Sequence, residues 1–142
     1  MNPVSELLKQ RQDTIWHVHP DDPVYSVLEL LAEHEVGALV VMDAGRLVGI
    51  VSERDYTRKV ALQGRNSRET PVAEIMTREV VSIGPDASML TCMALMSARR
   101  IRHLPVVDGG TVLGMISIRD ILDEVIADQQ QTIAQLESYI HS

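Results

Sequence analysis

Residues 18–56 recur, without insertion or deletion, sixty-five positions later as residues 83–121. In that register Pro20-Asp21 falls on Pro85-Asp86, Asp43 on Asp108, Gly45 on Gly110 and Gly49 on Gly114. The closest match is at the end, where Ser52-Glu53-Arg54-Asp55 falls on Ser117-Ile118-Arg119-Asp120. Eleven of the thirty-nine aligned pairs are identical, where ordinary residue frequencies give about two or three. A duplicated unit predicts two similar halves related by an approximate two-fold axis, with binding clefts at the seam.

With 142 residues the chain reads as one compact domain of two small halves, long enough to bury roughly 70% of its unfolded surface. Hydrophobic residues make up 45% and aromatic ones only 3%, with no Phe, so the core must be aliphatic. No apolar run approaches the roughly 20 residues of a membrane span. The opening MNPVSELLKQRQD lacks the apolar stretch of a signal peptide. Cys92 is the one cysteine, which rules out an internal disulfide and makes a cytoplasmic location the expectation. Its thiol reads either as a small buried hydrophobe on a helix or as a reactive group.

The net charge of −7 argues against DNA or RNA as the main partner. Its distribution is uneven: ten Lys or Arg and six Asp or Glu lie between Arg54 and Arg119, a net +4 that leaves −11 on the remainder. Arginines gathered in the middle of an acidic chain either hold a small anion or form a solvated surface.

Local signals place a short helix over residues 4–12, with Ser5 as its N-cap, and a short strand over 14–18. After the turn Pro20-Asp21-Asp22-Pro23, a helix is expected with Val24, Val27, Leu28, Leu30 and Leu31 on its apolar face. Ala38-Leu39-Val40-Val41-Met42 is a continuous apolar run, typical of a strand covered on both faces. Ala44-Gly45 turns it into a second strand, Arg46-Leu47-Val48-Gly49-Ile50-Val51, forming a hairpin. Ser52 then caps a helix starting at Glu53. Each repeat reads strand, helix, strand, strand, helix, an α+β arrangement of sandwich-like halves. The implied divisions are an N-terminal helix (1–13), a first repeat (14–62), a linker (63–75), a second repeat (76–127) and a C-terminal helical extension (128–142). Within them, 72–76 reads as a helical turn and 80–83 as the first strand of the second repeat. Ile121, Leu122, Val125, Ile126, Ile133, Leu136 and Ile140 space as one apolar face, either a partner or dimer surface or a face packed back on its own module.

The Ser-x-Arg-Asp sequence is where chemistry concentrates. A strand stops, a hydroxyl residue takes the N-cap, and the helix presents backbone N–H groups and the positive end of its dipole, an anion site. Ser52 or Ser117 can donate to a phosphate oxygen, and Arg54 or Arg119 can clamp it with a bidentate fork. A carboxylate at Asp55 or Asp120 suits a vicinal diol rather than an anion. Phosphate plus ribose spells a nucleotide. The bland alternative is a helix cap with an ordinary first-turn Asp, and the duplication at matched positions favours the functional reading.

The repeat resembles the CBS domain, named from cystathionine β-synthase. The matching pieces are Ile101-Arg102-His103-Leu104-Pro105-Val106-Val107-Asp108, the turn Gly109-Gly110, the strand Val112-Leu113-Gly114-Met115-Ile116, and Ser117-Ile118-Arg119-Asp120. VAEIMT at 72–77, followed by Val80-Val81, is similar to the usual lead into a second repeat. The resemblance covers nearly all of residues 14–127. It implies two tandem repeats in one pseudo-two-fold Bateman module that binds AMP, ADP, ATP, NAD or S-adenosylmethionine and needs no catalytic cofactor. Carried over, it assigns ribose to Asp55 and Asp120, and a hydroxyl contact to Ser52 and Ser117. Each cleft borrows the edge of the other repeat: Val81, Ile101 and Arg102 beside Asp55, and Trp16, Val36, Gly37 and His103 beside Asp120. Arg102 and His103 face phosphates. Their counterparts are Gly37 and Ala38, so basic groups at this position enter both clefts from the second repeat only. Val40 in place of Pro105 is expected to matter little.

Other candidates carry less. His17 and His19 share a strand face, like part of a metal pair, yet no Cys or carboxylate follows at ligand spacing, which favours a surface or capping role. Arg58-Lys59 reads as a diphosphate contact or a solvated helix face. Met89, Met93 and Met96 read as core filler. The expected function is a regulatory module that senses an adenine nucleotide and signals its state to an unknown partner, as a homodimer, with neither catalysis nor a metal. A ligand-free dimerisation scaffold and a nucleotide-processing enzyme are the rivals. The dimer contact is expected from the module faces, with the C-terminal helix over an aliphatic groove of its own or the neighbouring subunit.

Overall fold

Two β-hairpins, each followed by a helix, carry the repeat into three dimensions. The computed structural model describes residues 3–11 and 15–141. The elements are α1 (Val4–Arg11), β1 (His17–Val18), α2 (Val24–His34), β2 (Ala38–Asp43), β3 (Arg46–Ser52), α3 (Glu53–Tyr56), α4 (Met89–Arg99), β4 (His103–Asp108), β5 (Thr111–Ser117) and α5 (Ile118–His141). A π-helical turn (Thr57–Ala61) continues α3, and a 3-10 turn (Val72–Glu74) lies in the linker. The α+β expectation holds, and Thr14 of the first expected strand lies outside the described residues.

The hairpins are near copies. Asp43 pairs with Arg46 across Ala44-Gly45, and Asp108 with Thr111 across Gly109-Gly110. All four turn residues have positive φ, from 50° to 83°, the primed turn geometry whose twist matches that of the flanking strands. Even the register irregularity repeats, between Val41 and Met42 and between Val106 and Val107. In the first half, β1 adds a parallel strand, pairing His17 with Val40 and Val18 with Val41.

The second half departs here from the expected strand over 80–83. Only Ile83 pairs, its N–H donating to Pro105 O at 3.1 Å and its carbonyl accepting from Val107 N–H at 2.8 Å. The cause is Pro105. At the matched position Val40 offers a backbone N–H to the ladder, and proline has none. This substitution was expected to matter little; it removes a strand.

Each half has its own core, closed by a segment from elsewhere. Val18, Val24, Leu31, Leu39, Val41 and Val51 pack with Val72, Ile75 and Met76 from the linker. In the second half, Met89, Cys92, Met96, Leu104, Val106, Ile116 and Ile121 pack with Val4, Leu7 and Leu8 of α1. Backbone bonds match as well: Val72 and Ala73 donate to the Asp22 and Pro20 carbonyls, while Val4 and Ser5 donate to those of Ala87 and Pro85. Ser5 therefore sits inside α1 rather than capping it, because the carbonyls of the opposite repeat satisfy the first N–H groups. Gly49 lets the linker close tightly, since a Cβ there would meet Met76 Sδ at 2.7 Å.

The linker over 63–70 is pinned. Pro23 supplies no side-chain cap to α2, and the Val24 and Tyr25 N–H groups donate to the Thr70 and Ser67 carbonyls instead. Arg68 lies 4.0 Å over the Tyr25 ring. At the far end, Ile121 is buried and Val125 packs against the second core. From Ile126 onward the apolar side chains of α5 are exposed. Of the two grooves expected for this tail, its own module's or the neighbouring subunit's, the first is not used. No helix among the described residues is long and apolar enough to cross a membrane.

Candidate functional site

Two clefts open where the halves meet. One, of about 1050 Å³, is lined by Ser117, Arg119 and Asp120 at the β5–α5 junction and by Trp16, Val36 and Gly37 of the first half. The other, of about 550 Å³, is lined by Ser52, Arg54 and Asp55 at the β3–α3 junction and by Val81 and Ile101 of the second half. Both are large enough for a small-molecule ligand. Gly37, Arg102 and His103 line both, so all thirteen residues named from sequence lie on one cleft or the other.

The Ser-x-Arg-Asp junctions fold the same way twice. The Asp55 N–H donates to Ser52 Oγ at 3.2 Å, and the Ser52 N–H donates to Asp55 Oδ2 at 2.9 Å. In the second repeat the Asp120 N–H donates to Ser117 Oγ at 3.2 Å, and the Ser117 N–H to Asp120 Oδ2 at 2.7 Å. This is a reciprocal capping box with Asp in the usual Glu position. The capping role is thus present in both copies. It also holds one oxygen of each carboxylate, on residues that line the clefts.

In the first half the other carboxylate oxygen is held as well. Asp55 Oδ1 meets Lys59 Nζ at 3.1 Å, and Lys59 also donates to the Ile75 carbonyl at 2.8 Å. Position 124, which matches Lys59, is Glu. The Arg58-Lys59 pair therefore splits: Arg58 lines the Asp55 cleft, while Lys59 ties the helix to the linker.

His103 stands on the seam. Burial lowers its pKa from the ordinary imidazole value; the Asp120 carboxylate opposes that shift and the Arg102 guanidinium reinforces it. A Cβ on Gly37 would meet the His103 ring at 3.1 Å, so the glycine, which matches Arg102 in the repeat register, makes room for the imidazole. Trp16 stacks on His34 with ring centroids 4.1 Å apart and planes at 11°. His34, Glu35, Arg100 and Asp123 line the clefts and were missed from sequence. His34, Glu35 and Arg100 sit at helix C-termini and Asp123 in the second turn of α5, where nothing in the local pattern distinguishes a cleft residue from a solvated one.

Other candidates resolve into structural roles. His19 Nε2 meets Asp43 Oδ1 at 3.1 Å while its Nδ1 accepts the Asp21 N–H at 3.1 Å. Among the described residues no three His, Cys, Asp or Glu side chains converge as a metal site. Cys92 is buried in the second core, and burial pushes its thiol pKa up, which disfavours the reactive thiolate. Met89 and Met96 are core, with Met93 packed against it.

A family model for the CBS domain matches residues 4–62 and 72–127. The CBS domain-containing protein CBSX3, mitochondrial, of Arabidopsis thaliana is 41% identical over 125 residues, covering 84% of this chain. The chain spans 61% of that relative's length. A solved structure of a protein with CBS domains from Burkholderia ambifaria MC40-6 is 49% identical with a TM-score of 0.86, covering 90% of this chain and 96% of that one. The CBS domain pair of protein MJ0100, solved in complex with 5′-methylthioadenosine and S-adenosyl-L-methionine, is 25% identical with a TM-score of 0.79, covering 90% and 98%.

Proposed function

The chain belongs to the CBS-domain family as a tandem pair, a regulatory module, and on that footing we propose that it senses adenosine derivatives in its two seam clefts and passes their occupancy to a partner. The observation that carries the reading is the duplicated junction: one helix start with its Ser, Arg and capping Asp shares a cleft with residues of the other half, twice. Adenine lies against Val81 and Ile101 in one cleft and against Trp16 and Val36 in the other. The ribose diol donates to Asp55 or Asp120. Phosphate meets Arg54 or Arg119, with Arg102 and His103 reaching both sites. The similar pair that carries two adenosine derivatives supports this class of ligand. AMP, ADP, ATP and NAD are the candidates, and the role is binding rather than catalysis.

Calorimetry with AMP tests it. Losing a hydrogen bond to a charged group costs about 1.5–3 kcal/mol, so Asp55→Asn and Asp120→Asn each weaken one site about tenfold or more. Asn keeps an oxygen for the capping box, which separates ligand loss from unfolding. Unchanged binding in the double variant would remove the site assignment.

Assembly is a second reading with its own observation. Six of the nine large hydrophobic residues exposed among those described lie on α5: Leu122, Ile126, Ile133, Leu136, Tyr139 and Ile140. Pairing with a second copy of the chain would cover them.

A further inference from the structure

Matched positions of the two repeats carry opposite charges, and the fold delivers them to opposite clefts. Glu35 and Arg100 stand sixty-five positions apart, each in the left-handed conformation that closes a helix, with φ of 53° and 55°. Glu35 lines the Asp120 cleft and Arg100 the Asp55 cleft. Arg58 and Asp123 are likewise matched, and they line the Asp55 and Asp120 clefts respectively. The remaining charges do not cancel this contrast. Arg54 and Arg119 are equivalent, Glu53, Arg102 and His103 are shared, and Glu79 is the one extra acid on the Asp55 side. His34 adds an imidazole to the Asp120 side. Four arginines thus face three acids in the Asp55 cleft, and two arginines face four acids in the Asp120 cleft.

We propose that the clefts select different adenosine derivatives by charge: the Asp55 cleft takes one with a di- or triphosphate tail, and the Asp120 cleft takes one with at most a single phosphate. This rests on the adenosine reading and adds to it which tail goes where. Rim charges act over about 8 Å at physiological ionic strength, the scale of a phosphate tail, so the reversals reach the group that differs among these ligands. Volume predicts the opposite order. The Asp120 cleft is about 1050 Å³ and the Asp55 cleft about 550 Å³, so selection by size would send the bulkier triphosphate to the Asp120 side.

Trp16, the one tryptophan in the chain, lines the Asp120 cleft and not the other, and its fluorescence reads that cleft alone. The test titrates adenosine, AMP and magnesium-free ATP, following Trp16 emission and calorimetric heat in parallel. Adenosine and AMP are expected to move Trp16 at concentrations at least about tenfold below those needed for ATP. ATP is expected to give heat at a second site that Trp16 does not see and that the double substitution Arg58→Asp, Arg100→Glu abolishes. Glu35→Arg with Asp123→Arg should make Trp16 respond to ATP at least as readily as to AMP. If that variant fails to fold, Glu35→Gln with Asp123→Asn should shift the ranking the same way by a smaller factor. ATP and AMP moving wild-type Trp16 at equal concentrations, or a ranking unchanged by the substitutions, overturns the charge assignment and leaves adenosine binding standing. Absence of binding by all three compounds overturns both.

Discussion

The first half borrows its closing segment from the linker that follows it, and the second half borrows its own from the helix that precedes the first. Val72, Ile75 and Met76 seal one core, and Val4, Leu7 and Leu8 seal the other. The halves therefore exchange their leading segments. Neither core is complete from contiguous repeat sequence, and the seam that holds the clefts is held from both sides. The halves then diverge beyond their junctions. The first turns through a π-helical segment ending at Ala61, while the second continues as a single helix to His141.

The exchange is broken or sharpened most directly in its two matched lids. Leu7→Ala and Ile75→Ala remove a buried aliphatic side chain from each, and about 2–4 kcal/mol of stability should go with either, read by urea unfolding. Amide exchange should then accelerate in β4 and β5 for Leu7→Ala, and in β2 and β3 for Ile75→Ala. If Leu7→Ala loosened the first half instead, the exchanged arrangement would be wrong.

A smaller effect separates the two helices after the junctions. A chain ending at Ala127 keeps Ile121 and Val125, which pack on the second core, so its unfolding midpoint should stay close to that of the full chain. Its self-association should weaken by about tenfold or more, because the exposed apolar face of α5 is lost and a stable pair needs on the order of 1,200–2,000 Å² of contact. Light scattering at micromolar concentration decides this, and a monomeric full chain would sink the dimer reading.

The smallest effect lies at the seam. His103 faces Ala38 in the repeat register, so only one half titrates at this position. Burial lowers its folded pKa, and the unfolded chain binds the proton more readily. The stability that neutral His103 contributes is therefore present above about pH 6.5, the unfolded value, and is lost as pH falls through the folded one. The His103→Gln chain should lose less stability than wild type between pH 7.5 and pH 5. Parallel losses would show that the imidazole proton is not what is felt.

Much of this was legible because period, turn and cap signals are local. The hairpins follow from Ala44-Gly45 and Gly109-Gly110, and the helix starts from Ser52 and Ser117. The repeat register pointed to the Ser-x-Arg-Asp residues, and the resemblance to the CBS domain supplied the other cleft residues. The lead segments escaped that register. Pro3-Val4-Ser5-Glu6-Leu7-Leu8 repeats as Pro71-Val72-Ala73-Glu74-Ile75-Met76 at a spacing of sixty-eight rather than sixty-five, so an ungapped alignment passes over it. Pro105 was read as neutral because its missing N–H matters only once the neighbouring strand is known.

Sequence by itself determined the duplicated α+β unit, the two hairpins and the paired Ser-x-Arg-Asp junctions, since each depends on residues a few positions apart. Only the tertiary structure decided that α1 seals the second core, that Lys59 turns from the cleft to hold Asp55 and the Ile75 carbonyl, and that Glu35 and Asp123 face one cleft while Arg100 and Arg58 face the other. Those outcomes depend on which half meets which. The approximate two-fold axis sets that, bringing together residues that no local pattern relates.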